Sequence, residues 1–346
     1  MEEYLIPFIT ATFISLVMTP ITKKIAYKLK AIDIPKDERR VHKKPIPLLG
    51  GLAIYIATII AMVIFLPLDK TTFSIIVGSS IIVISGVIDD TKDLSPKMKL
   101  LFQIIAAIIL IIGDVKIEFI TNPFKGGLVY LKGFSILLTI FWVVGITNTV
   151  NLIDGLDGLA AGVSLIASMS LFFVASRFEY VPIMIMSLVL AGSCLGFLPY
   201  NFNPAKIFMG DTGALFLGFM LAVISIEGVM KSVATIAIVV PIIILGLPIF
   251  DTTFAIFRRL LNGRPIMEAD KGHLHHKLLQ RGLSQRQTVL ILYAISGVFG
   301  FSAALIAKAN SKQAVTIAGI IIILTILFAR RLGLVDKRKS EDREEK

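Results

Sequence analysis

The chain has 346 residues, 55% of them hydrophobic, a formal net charge of +11 and a mean hydropathy of +0.84. Long uncharged runs repeat along its whole length, which excludes a soluble globular domain and makes the bilayer the main solvent. One cysteine, Cys194, excludes an intrachain disulfide or a cysteine-rich metal site, and positive charge in a membrane chain points to cytoplasmic loops rather than to nucleic acid.

The start, Met1-Glu2-Glu3, lacks the basic region and cleavage site of a signal peptide, so the first apolar run is expected to remain as a helix. About eleven candidate spans follow, near 4–22, 46–68, 71–88, 98–113, 134–150, 158–175, 181–198, 210–227, 232–253, 287–306 and 313–330. They form one all-α membrane domain over 1–346, with no internal repeat or attached soluble domain. The first loop carries Lys23, Lys24, Lys28, Lys30, Lys36, Arg39, Arg40, Lys43 and Lys44. Opposite loops are short and nearly bare, and the connection after span four reads as extended around a Gly126-Gly127 turn. This asymmetry predicts an external N-terminus and a cytoplasmic C-terminus, with cytoplasmic loops near 23–45, 89–99, 148–157, 199–211 and 254–286.

The polar clusters all fall on those loops. Asp89, Asp90 and Asp93 end span three, where carboxylates oppose the helix dipole and repel one another. A solvated loop explains them, and so does a role with a cation or a proton. Asn148, Asn151, Asp154 and Asp157 recur every three residues, which on a helix directs them to one face. The alternative is an Asn/Asp/Gly turn, with Gly155 and Gly158 allowing close approach. Asp211, in Phe208-Met209-Gly210-Asp211, reads as the N-cap of span eight, as a metal ligand, or as both. His273, His275 and His276 suit zinc or a diphosphate; without an accompanying Cys or HExxH pattern, and with Arg258, Arg259, Arg264 and Lys271 nearby, a diphosphate is preferred. Carboxylates that hold Mg²⁺ and cations that hold an anionic substrate, on one membrane face, describe phosphoryl or phospho-sugar transfer.

Five motifs occur in order: Lys43-Lys44-Pro-Ile-Pro-Leu-Leu-Gly50-Gly51, Asp89-Asp90-x-x-Asp93, Asn148-x-x-Asn151-x-x-Asp154-Gly-x-Asp157-Gly158, Phe208-Met209-Gly210-Asp211 and His273-x-His275-His276. The set resembles the polyprenyl-phosphate N-acetylhexosamine-1-phosphate transferases, the MraY/WecA family of glycosyltransferase family 4. His-Leu-His-His followed by Lys-Leu-Leu-Gln-Arg-Gly is similar to the WecA/TagO branch, whereas the MraY branch carries three consecutive histidines.

The resemblance implies UDP-N-acetylglucosamine as donor and undecaprenyl phosphate as acceptor, in the bacterial cytoplasmic membrane, starting a teichoic acid, O-antigen or similar glycan. It implies Mg²⁺, with Mn²⁺ as a substitute, and admits a homodimer. It makes Asp211 the metal-binding aspartate, and Asn151, Asp154 and Asp157 metal- and nucleotide-side groups. Asp89, Asp90 and Asp93 match its acidic motif, with Asp89 preferred as base; Lys43 and Lys99 are similar to its site lysines, and Phe208 to its uracil-stacking aromatic. His273, His275 and His276, with Arg258 or Arg259, match the diphosphate motif. Pro241 and Pro248 fall where family members bend span nine, opening a lipid-facing groove. Two rivals remain: the same chemistry on another donor such as UDP-MurNAc-pentapeptide, and a secondary transporter, whose sites lie nearer the midplane and usually between repeats.

Overall fold

The computed structural model describes residues 2–34, 45–121, 127–230, 238–263, 265, 272–309, 311–332 and 334. Among them the chain is almost wholly helical: α1 (Glu2–Leu29), α2 (Gly51–Phe65), α3 (Lys70–Lys92), α4 (Pro96–Ile112), α5 (Phe134–Ile153), α6 (Leu159–Ala175), α7 (Val181–Asn201), α8 (Gly210–Ser225) with a π-helical extension (Ile226–Met230), α9 (Val239–Ile244), α10 (Gly246–Leu261), α11 (Leu274–Gln280), α12 (Gln285–Ile306) and α13 (Ser311–Leu332). Two antiparallel ribbons interrupt them. β1 (Ile32–Asp33) pairs with β2 (Ile46–Pro47), and β3 (Phe119–Thr121) with β4 (Leu128–Tyr130), where an extended connection is expected.

Seven helices are long and apolar enough to cross a membrane: α1, α3, α5, α7, α8 with its extension, α12 and α13. α2 and α6 are shorter apolar helices, and α4 has 17 residues. At 1.5 Å per residue a 17-residue helix reaches about 26 Å, slightly less than the hydrocarbon core. Polar caps set several boundaries: Asp69 accepts from Thr72 N at 2.8 Å, Ser95 caps α4, and Ser284 with Gln287 forms a capping box on α12.

Two elements depart from the hydropathy pattern. α1 does not stop near residue 22 but runs to Leu29, because Lys23, Lys24 and Lys28 end an apolar run without ending a helix. The ninth span is not one helix over 232–253. Residues 231–237 lie outside the described set; beyond them α9 and α10 meet at Leu245 (φ −88°, ψ 19°), and α10 continues to Leu261. Pro248 has no N–H to return to Ile244, so the helix breaks there, and in the first turn of α10 that missing donor is tolerated.

α8 is the centre of the bundle, packed against α2, α3, α5 and α6, whereas α1 and α13 are its least covered long helices. Small residues bring the neighbours close: a Cβ at Gly51 of α2 or Gly86 of α3 would collide with the first turn of α8. α7 meets α1 the same way, with Gly192 and Gly196 against the carbonyls of Phe8 and Thr12. The N-terminus of α8 is thereby set among the ends of α2, α3 and α5, at one end of the bundle.

Candidate active site

Two carboxylates at the end of α3 sit unfavourably with respect to their own helix dipole, and the structure supplies the compensation. Asp90 turns to the first turn of α8, accepting from Asp211 N at 2.8 Å, Thr212 N at 3.1 Å and Thr212 Oγ1 at 2.6 Å. Met209 provides no side-chain cap for α8, so Asp90 caps that helix from another one. Gly210 makes this possible: its φ is +68°, and a Cβ there would strike the Asp90 carboxylate. Asp211 is consequently not the cap. It is the second residue of α8, and its carboxylate faces outward, with Oδ2 accepting from Lys99 Nζ at 2.7 Å and Oδ1 from Asn151 Nδ2 at 3.1 Å.

Lys99 joins the two halves. Its ammonium lies 2.7 Å from Asp89 Oδ2 and 2.7 Å from Asp211 Oδ2. Asp89 is also held by Leu94, whose N donates to Oδ1 at 2.7 Å. Asp89, Asp90 and Asp211 can each present an oxygen with all three within 4.8 Å of one another. Carboxylates this close repel strongly, and oxygen donors so spaced beside a substrate cleft fit a hard divalent cation such as Mg²⁺.

Asp90, Asp211, Asn151 and Asp154 line a cleft of about 790 Å³, which also includes Phe208, His276 and, from the extended end of α1, Lys23 and Tyr27; Asp89 and Lys99 adjoin it from behind Asp211. Asp154 lies just past the end of α5. Removal from water, then the charges of Asp211, Asp90 and Asp157, push its carboxyl up to about 8.

The helical face expected for Asn148 to Asp157 is only partly realised. α5 ends at Ile153, and Gly158 turns the chain at φ +80° into α6, so Asp157 leaves the helix. It lines the cleft, but its Oδ2 secures a loop, accepting from Asn203 Nδ2 at 3.0 Å and Ala205 N at 2.9 Å. Asn148 lies one turn deeper and pairs with Gln103 of α4: Asn148 Nδ2 donates at 2.6 Å and Gln103 Nε2 returns a bond at 3.2 Å. Asp93 is not brought to the carboxylate group either. It ends α3 at φ +53° with an exposed side chain, because the chain there turns toward Ser95 and α4. Lys43 lies outside the described residues.

The histidine motif is distributed rather than pooled. His273 is buried, and its Nδ1 meets Asp251 Oδ2 at 2.9 Å. Leu274 enters an apolar groove. His275 stacks at 5.8 Å on His273 and packs on the α5–α6 turn, where a Cβ at Gly155 would lie 2.6 Å from its Nε2. Burial, then neighbouring His276, drives His275 down to about 3, so it is neutral at pH 7. Only His276 lines the cleft. Arg258 and Arg259 are buried at the end of α10 and do not line it; the Arg258 guanidinium packs on Gly272 and Nη1 donates to Leu334 O at 2.8 Å.

Gln103, Thr212, Asn203 and Asp251 are the positions that motif reading passes over. Asp251 alone carries a signal, being a carboxylate within an apolar stretch.

Fold and site define a multi-pass helical membrane protein with a carboxylate-lined cleft at one end of its bundle. Residues 72–229 match the family model described as Glycosyl transferase family 4. The chain is 45% identical to a probable undecaprenyl-phosphate N-acetylglucosaminyl 1-phosphate transferase of Bacillus subtilis, over 98% of this chain and 94% of that one. It is 35% identical to a decaprenyl-phosphate N-acetylglucosaminephosphotransferase of Mycobacterium leprae, over 95% and 92%. It is 31% identical to a phospho-N-acetylmuramoyl-pentapeptide-transferase of Staphylococcus aureus, over 84% and 96%. The chain belongs to glycosyl transferase family 4.

Proposed function

We propose that the protein transfers N-acetylglucosamine 1-phosphate from UDP-N-acetylglucosamine to undecaprenyl phosphate, giving undecaprenyl-diphospho-N-acetylglucosamine and UMP. The observation that carries this reading is the single cleft in which Asp90, Asp211, Asn151 and Asp154 face Phe208 and His276, with Lys99 bridging Asp89 and Asp211 behind it. The relative named for undecaprenyl-phosphate N-acetylglucosaminyl 1-phosphate transfer is 45% identical over 98% of the chain, against 31% over 84% for the Staphylococcus aureus pentapeptide transferase, which supports the donor.

In the transfer, a lipid-phosphate oxygen attacks the phosphorus that bears the sugar, and the bond from that phosphorus to the bridging oxygen of UMP breaks. Positioning and charge stabilisation supply most of the catalysis in such steps. Asp211, Asn151 and Asp154, with Asp89 and Asp90 adjoining, would hold Mg²⁺, or Mn²⁺ in its place, which neutralises diphosphate charge. Lys99 keeps Asp89 and Asp211 apart and oriented. Asp89 is the group that accepts a proton from, or aligns, the acceptor phosphate. Phe208 offers a ring to the nucleobase, and His276 a donor to the diphosphate. Attack by an aspartate to form an acyl phosphate is the competing route.

We place the cleft on the cytoplasmic face of the bacterial inner membrane, in one domain of eleven spans with the N-terminus outside. The cationic first loop supports that orientation, as does the extension of α1 that carries Lys23 and Tyr27 to the cleft.

UMP release in detergent tests the reaction, with UDP-N-acetylglucosamine and UDP-MurNAc-pentapeptide run in parallel. Release from the first alone, abolished by EDTA and by Asp211→Asn, is expected. Release from the pentapeptide donor alone would retain the chemistry and overturn the donor. Release from neither by folded protein would overturn the reading.

A further inference from the structure

The buried pair Asp251–His273 stands apart from the carboxylate group, and nothing in the transfer chemistry above uses it. Asp251 lies on α10 just after the break at Leu245, beside Phe250, Phe254 and Leu274 along an apolar groove of about 470 Å³. A carboxylate placed there is tolerable only if its oxygens are bonded. Both are: Oδ2 meets His273 Nδ1 at 2.9 Å, and Oδ1 accepts from Leu274 N at 2.7 Å. An ionised carboxylate only accepts, so the first bond puts a proton on His273 Nδ1. The second closes the first turn of α11, whose N-cap residue His273 makes no side-chain cap of its own. α11 has only seven residues, yet it presents His275 to Gly155 and His276 to the cleft. An element that short takes its orientation from its attachments rather than from its own hydrogen bonds.

We propose that Asp251 is a positioning residue of the transfer site: it fixes His273 with the proton on Nδ1 and anchors the first turn of α11, so that His275 and His276 are held against the cleft. The assignment rests on the reading of that cleft as the transfer site. A stabilising role alone would not call for a polar pair here, since two hydrogen-bonded partners replaced by apolar groups of the same shape can leave stability nearly unchanged.

The chain has four histidines, so ¹⁵N-histidine labelling of the detergent-solubilised protein gives four ring systems, assigned by single His→Gln variants. The wild-type His273 ring should carry its proton on Nδ1. Asp251→Asn keeps an oxygen for Leu274 N but turns an amide N–H toward His273. The proton should then move to Nε2, the His276 ring signals should shift, and kcat for UMP release should fall about tenfold or more, as for other groups that orient a functional histidine. Thermal midpoint should stay within a few degrees. Because Asp251→Asn keeps the bond to Leu274 N and alters only the one to His273, the double variant Asp251→Asn/His273→Gln should be no slower than His273→Gln. If Asp251→Asn does not fold, Asp251→Glu serves: the Nδ1 proton stays, while the longer arm shifts the His276 signals and lowers kcat. Wild-type turnover with unmoved His276 signals in the variant overturns the proposal, as do additive losses in the double variant. If wild-type protein releases no UMP from either donor, the functional reading fails separately, and the His273 and His276 ring signals still decide the positioning role.

Discussion

Lys99 bridges Asp89 and Asp211, the two halves of the acidic group, and its removal separates electrostatics from packing. Its side chain is 27% exposed, between a surface pair and a buried one, so its loss should cost about 2 kcal/mol in metal-free buffer. Lys99→Met leaves Asp89 and Asp211 facing each other with no cation between them. Its thermal midpoint in EDTA should drop by several degrees, and Mg²⁺ should raise it by more than it raises wild type. Equal Mg²⁺-dependent gains in the two proteins would refute the shared-cation site. Asp154 gives a second test, through pH. Its carboxyl is raised from 3.8 to about 8, so the folded state holds a proton that the unfolded state releases. The associated stability is complete below about pH 4 and drains away as pH climbs toward 8. Asp154→Asn lacks this loss. In EDTA, the midpoint of the variant relative to wild type should therefore rise between pH 5 and pH 8; a difference that stays flat across that range would contradict the assignment.

At the scale of elements, the site is built where helices end, and each end is finished by a neighbour. α3 supplies the cap of α8, α4 supplies the lysine between them, and α11 rests on the turn that joins α5 to α6. That last contact is exposed to a minimal change. Gly155→Ala places a methyl within 2.6 Å of His275 Nε2, while its backbone needs no left-handed conformation. UMP release should fall by about tenfold to a hundredfold, since an ångström of misplacement near the chemistry can cost that much. The thermal midpoint should be nearly unchanged, as the position is otherwise open. Full activity in Gly155→Ala would mean that α11 does not depend on this contact. Much of this arrangement is legible in the sequence, because hydropathy marks helices and clustered polar residues mark their ends. Asp211 with Asn151 and Asp154 follows from such clusters. What escapes is set by tertiary geometry. Periodicity of three continues through Asp157, but the helix stops at Ile153, and no local rule says that Asp90 caps α8 or that Gln103 takes Asn148. The Asp251–His273 bond joins residues 22 apart, from α10 to the N-cap of α11, and only the unusual carboxylate in an apolar run hints at it.

For the whole molecule, the helix directions leave few choices. α2 begins and α3 ends at the cleft, so the connection at Leu66–Asp69 lies at the far end of the bundle. α1 reaches the cleft with its C-terminal turns, which puts Glu2 at that far end as well. α13 returns to the cleft end, where Leu334 O accepts from Arg258 and Arg331 O from Arg281 at 2.9 Å. A charged nucleotide sugar in the cytoplasm can reach the cleft only if that end is cytoplasmic. The native thiol, Cys194, is buried within α7, so it leaves a quiet background for labelling. Leu68→Cys and Lys97→Cys place exposed thiols at opposite ends, Leu68 being 61% exposed in wild type. A membrane-impermeant maleimide should modify Leu68→Cys in intact spheroplasts, and Lys97→Cys only after the membrane is opened. A reporter fused after Lys346 should behave as cytoplasmic. The reverse labelling pattern would put the carboxylates outside, away from any nucleotide sugar, and would end the transferase reading whatever the geometry of the cleft.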